Sequence, residues 1–240
     1  MSTQFSGQIV LVAGGTGALG RAVSLAFLEQ GAKVVVTYRQ PSELDELKRV
    51  AGANASVLQG QAVDVTDEAA LKRFVQGVVA EHGRIDIVVN TVGAFAGGAK
   101  LWEENPQLLD QMLSANLLSG YAISRAVIPQ MLKQTPLNQK RGVFINIASR
   151  AAVDHAAGIA SYAASKAAAV ALMDSLATEL KETGVRVNSV LPSIIDTPAN
   201  RRAMPKADFT KWPQPEEIAR IILFLASDDA KLVHGASISV

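Results

Sequence analysis

The stretch "QIVLVAGGTGALG", Gln8 to Gly20, decides the fold. Its first half is an uninterrupted apolar, β-branched run of strand length, which reads as a strand buried on both faces. Its second half is a glycine-rich turn, Ala13 to Gly20, that passes into helix-forming sequence from Ala18 to Gln30, closed by Gly31. A strand that runs through glycines into a helix lets backbone approach a ligand closely and aims the positive end of the helix at it. That arrangement binds the pyrophosphate of a dinucleotide. Placement at the first strand-to-helix junction separates it from a tight turn without a ligand.

Outward from this unit the alternation repeats. "KVVVTYR" reads as a second strand, "PSELDELKRVAG" as a second helix, "SVLQGQAVDV" as a third strand, and "DEAALKRFVQGVVAEHG" as a third helix with Asp67 near its N-terminus. "IDIVVN" is a fourth strand, and Pro106 to Lys133 follows as one long helix. "GVFINIAS", the helix "SYAASKAAAVALMDSLATEL" and "GVRVNSVLP" come next, then a last helix, "PEEIARIILFLASD", and a short strand, "SISV". Strands alternating with helices, without a hairpin signal, imply parallel strands joined by right-handed crossovers. The expectation is an α/β fold: a single doubly wound Rossmann-type domain over residues 1–240, with a parallel sheet of about seven strands and helices on both faces.

Composition removes several function classes. Hydrophobic residues make up 49% of the chain and charged residues 19%, which describes a well-cored protein. A formal net charge of +1 supplies no basic stripe for nucleic acid or an anionic membrane. The absence of cysteine excludes disulfides, thiolate catalysis and Cys-ligated metals, and His82, His155 and His234 are too far apart to form a local metal motif. No stretch reaches the roughly 18 apolar residues of a membrane span. The polar start "MSTQFSGQ" lacks the basic and apolar regions of a secretory signal, so a cytoplasmic location is expected.

Two further features carry chemistry. Where an NAD site would place an acid at the end of the second strand, this chain has "TYRQPS", with Tyr38 in the acid's place and Arg39 beside it. A 2′-phosphate is then accommodated better than a bare ribose, and NADP is expected ahead of NAD. Arg39 stacked on an adenine, or pointing into solvent, are the competing readings. On the alanine-rich helix, Tyr162 and Lys166 lie one turn apart and share a face. An ordinary surface pair fits this spacing, and so does a tuned acid/base, because a neighbouring ammonium lowers a phenol's pKa from its usual value of about 10.

Taken in order, these motifs resemble those of the short-chain dehydrogenase/reductase family over nearly all of the chain. Tyr162 and Lys166 match the family's Tyr-x-x-x-Lys, and Ser149 in "NIAS" matches its serine thirteen residues before the tyrosine. Asn116 in "SANLLSG" matches its asparagine on the preceding long helix, and Asn90 to Gly93, "NTVG", its Asn-Asn-Ala-Gly. Asp64 in "VDV" corresponds to its adenine-contacting aspartate; Pro192 and Thr197 in "PSIIDT" correspond to its Pro-Gly-x-x-x-Thr, with Ser193 in place of the glycine. The resemblance implies that Tyr162 is the acid/base, that Lys166 lowers its pKa and holds the nicotinamide ribose, that Ser149 bonds the substrate oxygen, and that Asn116 completes a water-linked proton relay. It also implies a cofactor-binding set of Gly14, Thr16, Gly17, Ala18, Leu19, Gly20, Arg39, Asp64, Val65, Asn90, Gly93, Tyr162, Lys166, Pro192, Ile195 and Thr197. No metal is expected. Two departures from the family pattern stand out. Ala13 replaces a threonine, and the middle glycine is found one place early at Gly17, leaving Ala18 in its slot, so a slightly reshaped phosphate turn is expected. The chain also stops a few residues short of the family's usual end.

Substrate specificity is expected from the segments Gly93 to Trp102, Arg150 to Ile159 and Ser193 to Pro213. The last, "DTPANRRAMPKADFTKW", is similar to a loop of dihydropteridine reductases, a branch that usually lacks the serine and prefers NADH. With Ser149 present, a small-molecule carbonyl or secondary alcohol, including 3-oxoacyl compounds, is placed ahead of a pterin as substrate. Arg201 and Arg202 read either as anion ligands or as a solvated pair, and His155 as a rim residue. A non-catalytic dinucleotide sensor on the same fold is the reading from another class; it would normally lack Tyr162 or Lys166. The resemblance implies a homodimer or homotetramer. The alanines at 164, 167, 168 and 171 would permit close helix approach between subunits, unless they face the chain's own sheet.

Overall fold

The computed structural model describes residues 3–137 and 139–240. Its elements alternate in chain order: β1 (Ile9–Ala13), α1 (Ala18–Glu29), β2 (Lys33–Tyr38), α2 (Pro41–Ala51), β3 (Leu58–Ala62), α3 (Glu68–His82) and β4 (Ile87–Asn90) form the first half. The second half runs α4 (Leu108–Leu113), α5 (Ser119–Lys133), β5 (Gly142–Ile147), α6 (Ala151–Asp154), α7 (Ala160–Glu179), β6 (Val185–Leu191), α8 (Pro198–Ala203), α9 (Pro215–Ala226) and β7 (Ser237–Ser239). The strands form one seven-stranded sheet in the order β3-β2-β1-β4-β5-β6-β7. Every neighbouring pair is parallel. The doubly wound fold expected from the alternation is therefore the fold observed.

Side-chain alternation divides the core between the two faces. Val10 and Val12 join Phe27, Leu47, Ile218 and Ile222 under α1, α2 and α9. Leu11 and Ala13 join Phe74, Ile123, Phe144 and Met173 under α3, α5 and α7. Helix ends follow local chemistry. Asp67 caps α3 by accepting the N–H groups of Ala69 and Ala70, and Gly83 closes the helix in the left-handed conformation. On the α5/α7 face one polar row crosses three strands: Asn90 pairs in register with Asn146, and Asn146 with Ser189. All three are buried, and the Asn90 side-chain amide donates to Asn146 Oδ1 at 2.9 Å.

The strand order reverses between β1 and β4, so the loops after these two strands diverge from a common crevice, the place where doubly wound sheets bind ligands. The loops are tied at its floor, where Thr91 donates both its N–H, at 3.0 Å, and its hydroxyl, at 2.7 Å, to the Ala13 carbonyl. One expectation is corrected. The long helix begins at Leu108, two residues after Pro106, and is not uniform: one π-helical stretch, Ser114–Leu118, joins α4 to α5. The π stretch is centred on Asn116, and inserted π turns are frequent where a helix serves a functional site.

Candidate active site

At the phosphate turn, α1 starts at Ala18 after an extended Gly17, and Gly17 and Ala18 are both exposed at its lip. Leu19 and Gly20 lie buried beneath. A Cβ on Gly20 would stand 2.1 Å from the Gly14 carbonyl oxygen, so only glycine lets the helix close on the turn. The turn is fixed to β2 by the Gly14 N–H, which donates to Thr37 Oγ1 at 2.9 Å. The displaced middle glycine thus leaves an open, exposed turn in front of a helix N-terminus.

The turn borders a cleft of about 690 Å³, a size suited to a small-molecule site, whose walls include Gly14, Thr16, Gly17, Arg39, Asp64, Val65 and Gly93. Asp64 holds its carboxylate ready at one side: bonds from the Thr66 hydroxyl, at 2.7 Å, and the Thr66 N–H, at 2.9 Å, keep its pKa below the usual carboxylate range. The Arg39 charge contributes to the same lowering. Glu43, which the sequence reading passed over, also lines the cleft. Its Oε2 accepts the Thr16 hydroxyl at 3.0 Å. The pattern Gln40-x-x-Glu43 ahead of an apolar-periodic segment is a capping-box signal that could have found it.

At the other end, α7 carries Tyr162 and Lys166, and β5 leads to Ser149. Burial raises the Tyr162 phenol above its ordinary pKa, and a hydrogen bond with the Ser149 side chain offsets part of that rise. The lowering expected from Lys166 is absent in the free protein. The Lys166 amine donates instead to the Ile147 carbonyl at 3.2 Å. It is fully buried, and burial brings its pKa down to about 8. An ammonium carries three donors, and among the described residues it has this one acceptor. Gly93 faces it so closely that a Cβ there would lie 3.1 Å from Lys166 Nζ and 2.9 Å from Asn116 Oδ1. A buried ammonium with donors to spare, in a cradle with no room for a side chain, fits the ribose of a nicotinamide nucleotide.

Asn116 is held by its neighbours. Its amide oxygen accepts the Ala94 N–H at 2.9 Å, and its amide nitrogen donates to the Ala94 carbonyl and to Ser165 Oγ, both at 3.0 Å. It therefore ties the loop after β4 to α7, one residue before Lys166. The remaining candidates divide. Asn90 is buried, its amide on Asn146 and its Oδ1 accepting the Val92 N–H at 3.1 Å, so it shapes the loop from below. Pro192 is buried and its carbonyl accepts the Arg150 N–H at 2.9 Å. Ile195 is half-buried, and Thr197 caps α8 by accepting the Asn200 N–H at 3.2 Å.

Of the pair read as a possible anion site, Arg201 is already committed. It forms a two-pronged bond with Asp196 at 2.5 and 2.6 Å and lies over the Phe209 ring, while Gln214 donates to the same carboxylate. Arg202 is exposed. His155 sits exposed at the end of α6 in the left-handed conformation, a rim position. Two side chains around Tyr162 and the start of α7 were not singled out by any motif. Phe95 meets the Tyr162 ring edge-on at 4.9 Å between centroids, although it is 66% exposed. Glu104 accepts the Ser161 hydroxyl and so fastens the loop after β4 to the first turn of α7. Neither has a motif; contact alone reveals them. Phe95, Leu101, Trp102, Val153 and Ile194 are exposed apolar residues of the three segments expected to set specificity.

Comparison with known proteins agrees with this geometry. The family model described as short chain dehydrogenase matches residues 8–208. The chain is 31% identical to a 3-oxoacyl-[acyl-carrier-protein] reductase of Thermotoga maritima, over 99% of this chain and 97% of that one. It is also 31% identical to a D-threitol dehydrogenase of Mycolicibacterium smegmatis, over 99% and 92% respectively. Among solved structures, a short-chain type dehydrogenase/reductase from Mycobacterium ulcerans superposes with a TM-score of 0.90 at 26% identity, covering 99% of this chain and 89% of that one.

Proposed function

The chain belongs to the short-chain dehydrogenase family and is a nicotinamide-dependent oxidoreductase, and from that premise we propose that it reduces a small carbonyl compound with NADP(H), Tyr162 serving as the proton donor. The observation that carries this reading is a half-buried Tyr162 bonded to Ser149, with the buried Lys166 one helical turn on and packed against Gly93 of the cleft wall. A reduced nicotinamide held against Lys166 and Gly93 would supply hydride to the carbonyl carbon. Tyr162 gives its phenolic proton to the carbonyl oxygen, which becomes the alcohol hydroxyl, and the phenolate left behind recovers a proton from solvent; reversed, the same residue acts as base. The raised pKa of the free phenol suits it to wait as an acid. Ser149 steadies the substrate oxygen and the phenolate, Lys166 orients the ribose, and Asn116 fixes the loop and helix that hold both. Arg39 at the cleft wall favours a 2′-phosphate.

Relatives that are 3-oxoacyl reductases and a polyol dehydrogenase favour a carbonyl or alcohol substrate over a pterin. The exposed apolar collar favours an uncharged or long-chain substrate over a small ionic one. A panel of aliphatic ketones, 3-oxoacyl thioesters and quinonoid pterin, followed by oxidation of NADPH and of NADH, tests the reading. Turnover of one or more carbonyl compounds is expected; turnover of the pterin alone would overturn the substrate class. The outward alanines Ala164 and Ala171 support a homo-oligomer formed through α7, which sedimentation would check.

A further inference from the structure

The Glu43 carboxylate lies at the wall of the cleft, against the turn that follows β1. Three donors converge on its Oε2: the Thr16 hydroxyl at 3.0 Å and the backbone N–H groups of Arg39 and Gln40, each at 3.4 Å. These donors come from the turn after β1 and the turn after β2, the two segments that border the adenosine side of the cleft. A hydroxyl and two amides at the opening of a helix make a seat for an anion. The chain fills that seat with its own carboxylate, held by reciprocal capping between Gln40 and Glu43 at the start of α2.

Resting on the dinucleotide reading of the cleft, we propose that Glu43 is a specificity-determining residue that opposes NADP(H). A 2′-phosphate cannot share the seat with a carboxylate, because like charges in contact repel. Glu43 must leave and give up its three bonds before NADP(H) binds. NAD(H) presents a neutral hydroxyl at that position and meets no such charge. Arg39 draws the protein toward NADP(H), Glu43 pushes it back, and discrimination between the two cofactors is weak. The acid that the end of β2 lacks is supplied from α2, five residues beyond Tyr38 in sequence but at the same wall of the cleft.

Glu43→Gln tests this, because the amide oxygen still accepts the three bonds while the charge is removed. Dissociation constants of NADPH and NADH are measured for both proteins at one ionic strength by quenching of tryptophan fluorescence, so the substrate's identity does not enter. The variant is expected to bind NADPH at least about tenfold more tightly, with NADH changed by less than about twofold. Calorimetry with adenosine 2′,5′-bisphosphate and adenosine 5′-monophosphate repeats the comparison without nicotinamide and should give the same contrast. An equal change for both members of a pair, or no change in their ratio, leaves Glu43 a helix cap only and overturns the proposal. If the unaltered protein binds neither dinucleotide, the cofactor reading fails and takes this inference with it.

Discussion

Around Lys166, at the nicotinamide end of the cleft, polar groups are buried or half-buried and bound to neighbours: Asn116 to Ala94 and Ser165, Lys166 to Ile147, and Ser149 to Tyr162. Around Arg39, at the adenosine end, Arg39, Gln40, Glu43 and Asp64 are all exposed, and their partners lie on turns. The first set is pre-organised because each buried donor must keep its acceptor or lose about 1–3 kcal/mol. The second can exchange a protein partner for water or a ligand at little cost. Chemistry is thus fixed in the interior, while the choice of cofactor is left to side chains that can move.

The contrast is broken most sharply at Tyr162. Tyr162→Phe should lower turnover by about 10²–10⁴-fold while leaving NADPH and NADH binding unchanged; steady-state rates set beside fluorescence titrations check both halves, and retained turnover would move the acid elsewhere. Lys166 gives the next effect. Its pKa lies near 8 in the folded protein, below the 10.5 of an exposed lysine, so the unfolded chain holds the extra proton between these values. Stability of the cofactor-free protein should therefore be lowest below pH 8 and rise as pH climbs toward 10.5. Lys166→Met should abolish that rise and gain on the order of 3 kcal/mol at neutral pH, measured by urea unfolding across the range. A variant with an unchanged pH profile would mean that the ammonium is solvated. At a site remote from both ends, Asp67→Ala should cost only about 1 kcal/mol through the lost cap of α3, read by calorimetry, with cofactor preference unaltered.

The same division decides how much could be read from the sequence. Strand and helix alternation, the glycine turn and the spacing of Ser149, Tyr162 and Lys166 are properties of backbone period, and the structure places them where that period requires. Four things were not legible in that period. The π stretch at Asn116 has no residue signature, because an inserted helical turn depends on what the helix packs against. The phenol's raised pKa reflects burial, and the ammonium one turn away, whose spacing could be counted, turns instead to the Ile147 carbonyl, which could not. Arg201 was open to reading as an anion ligand until its Asp196 partner, five residues earlier, was seen to face it. Glu43 is the instructive case. An acid was sought at one position after β2, and the chain delivers it to the cleft from the first turn of the following helix.

The amide row beneath the crevice bears on how the protein reaches this state at all. Asn90 and Asn146 stand abreast on β4 and β5, with Ser189 beyond them on β6; β4 and β5 are otherwise made of apolar residues that would tolerate several alignments. Sliding β4 against β5 by a single position would turn one carboxamide into the opposite aliphatic layer and break the Asn90–Asn146 bond. The pair therefore works as a key during assembly: it penalises misalignment of β4 against β5, and in doing so it sets the height at which the loops bearing Gly93 and Ser149 emerge.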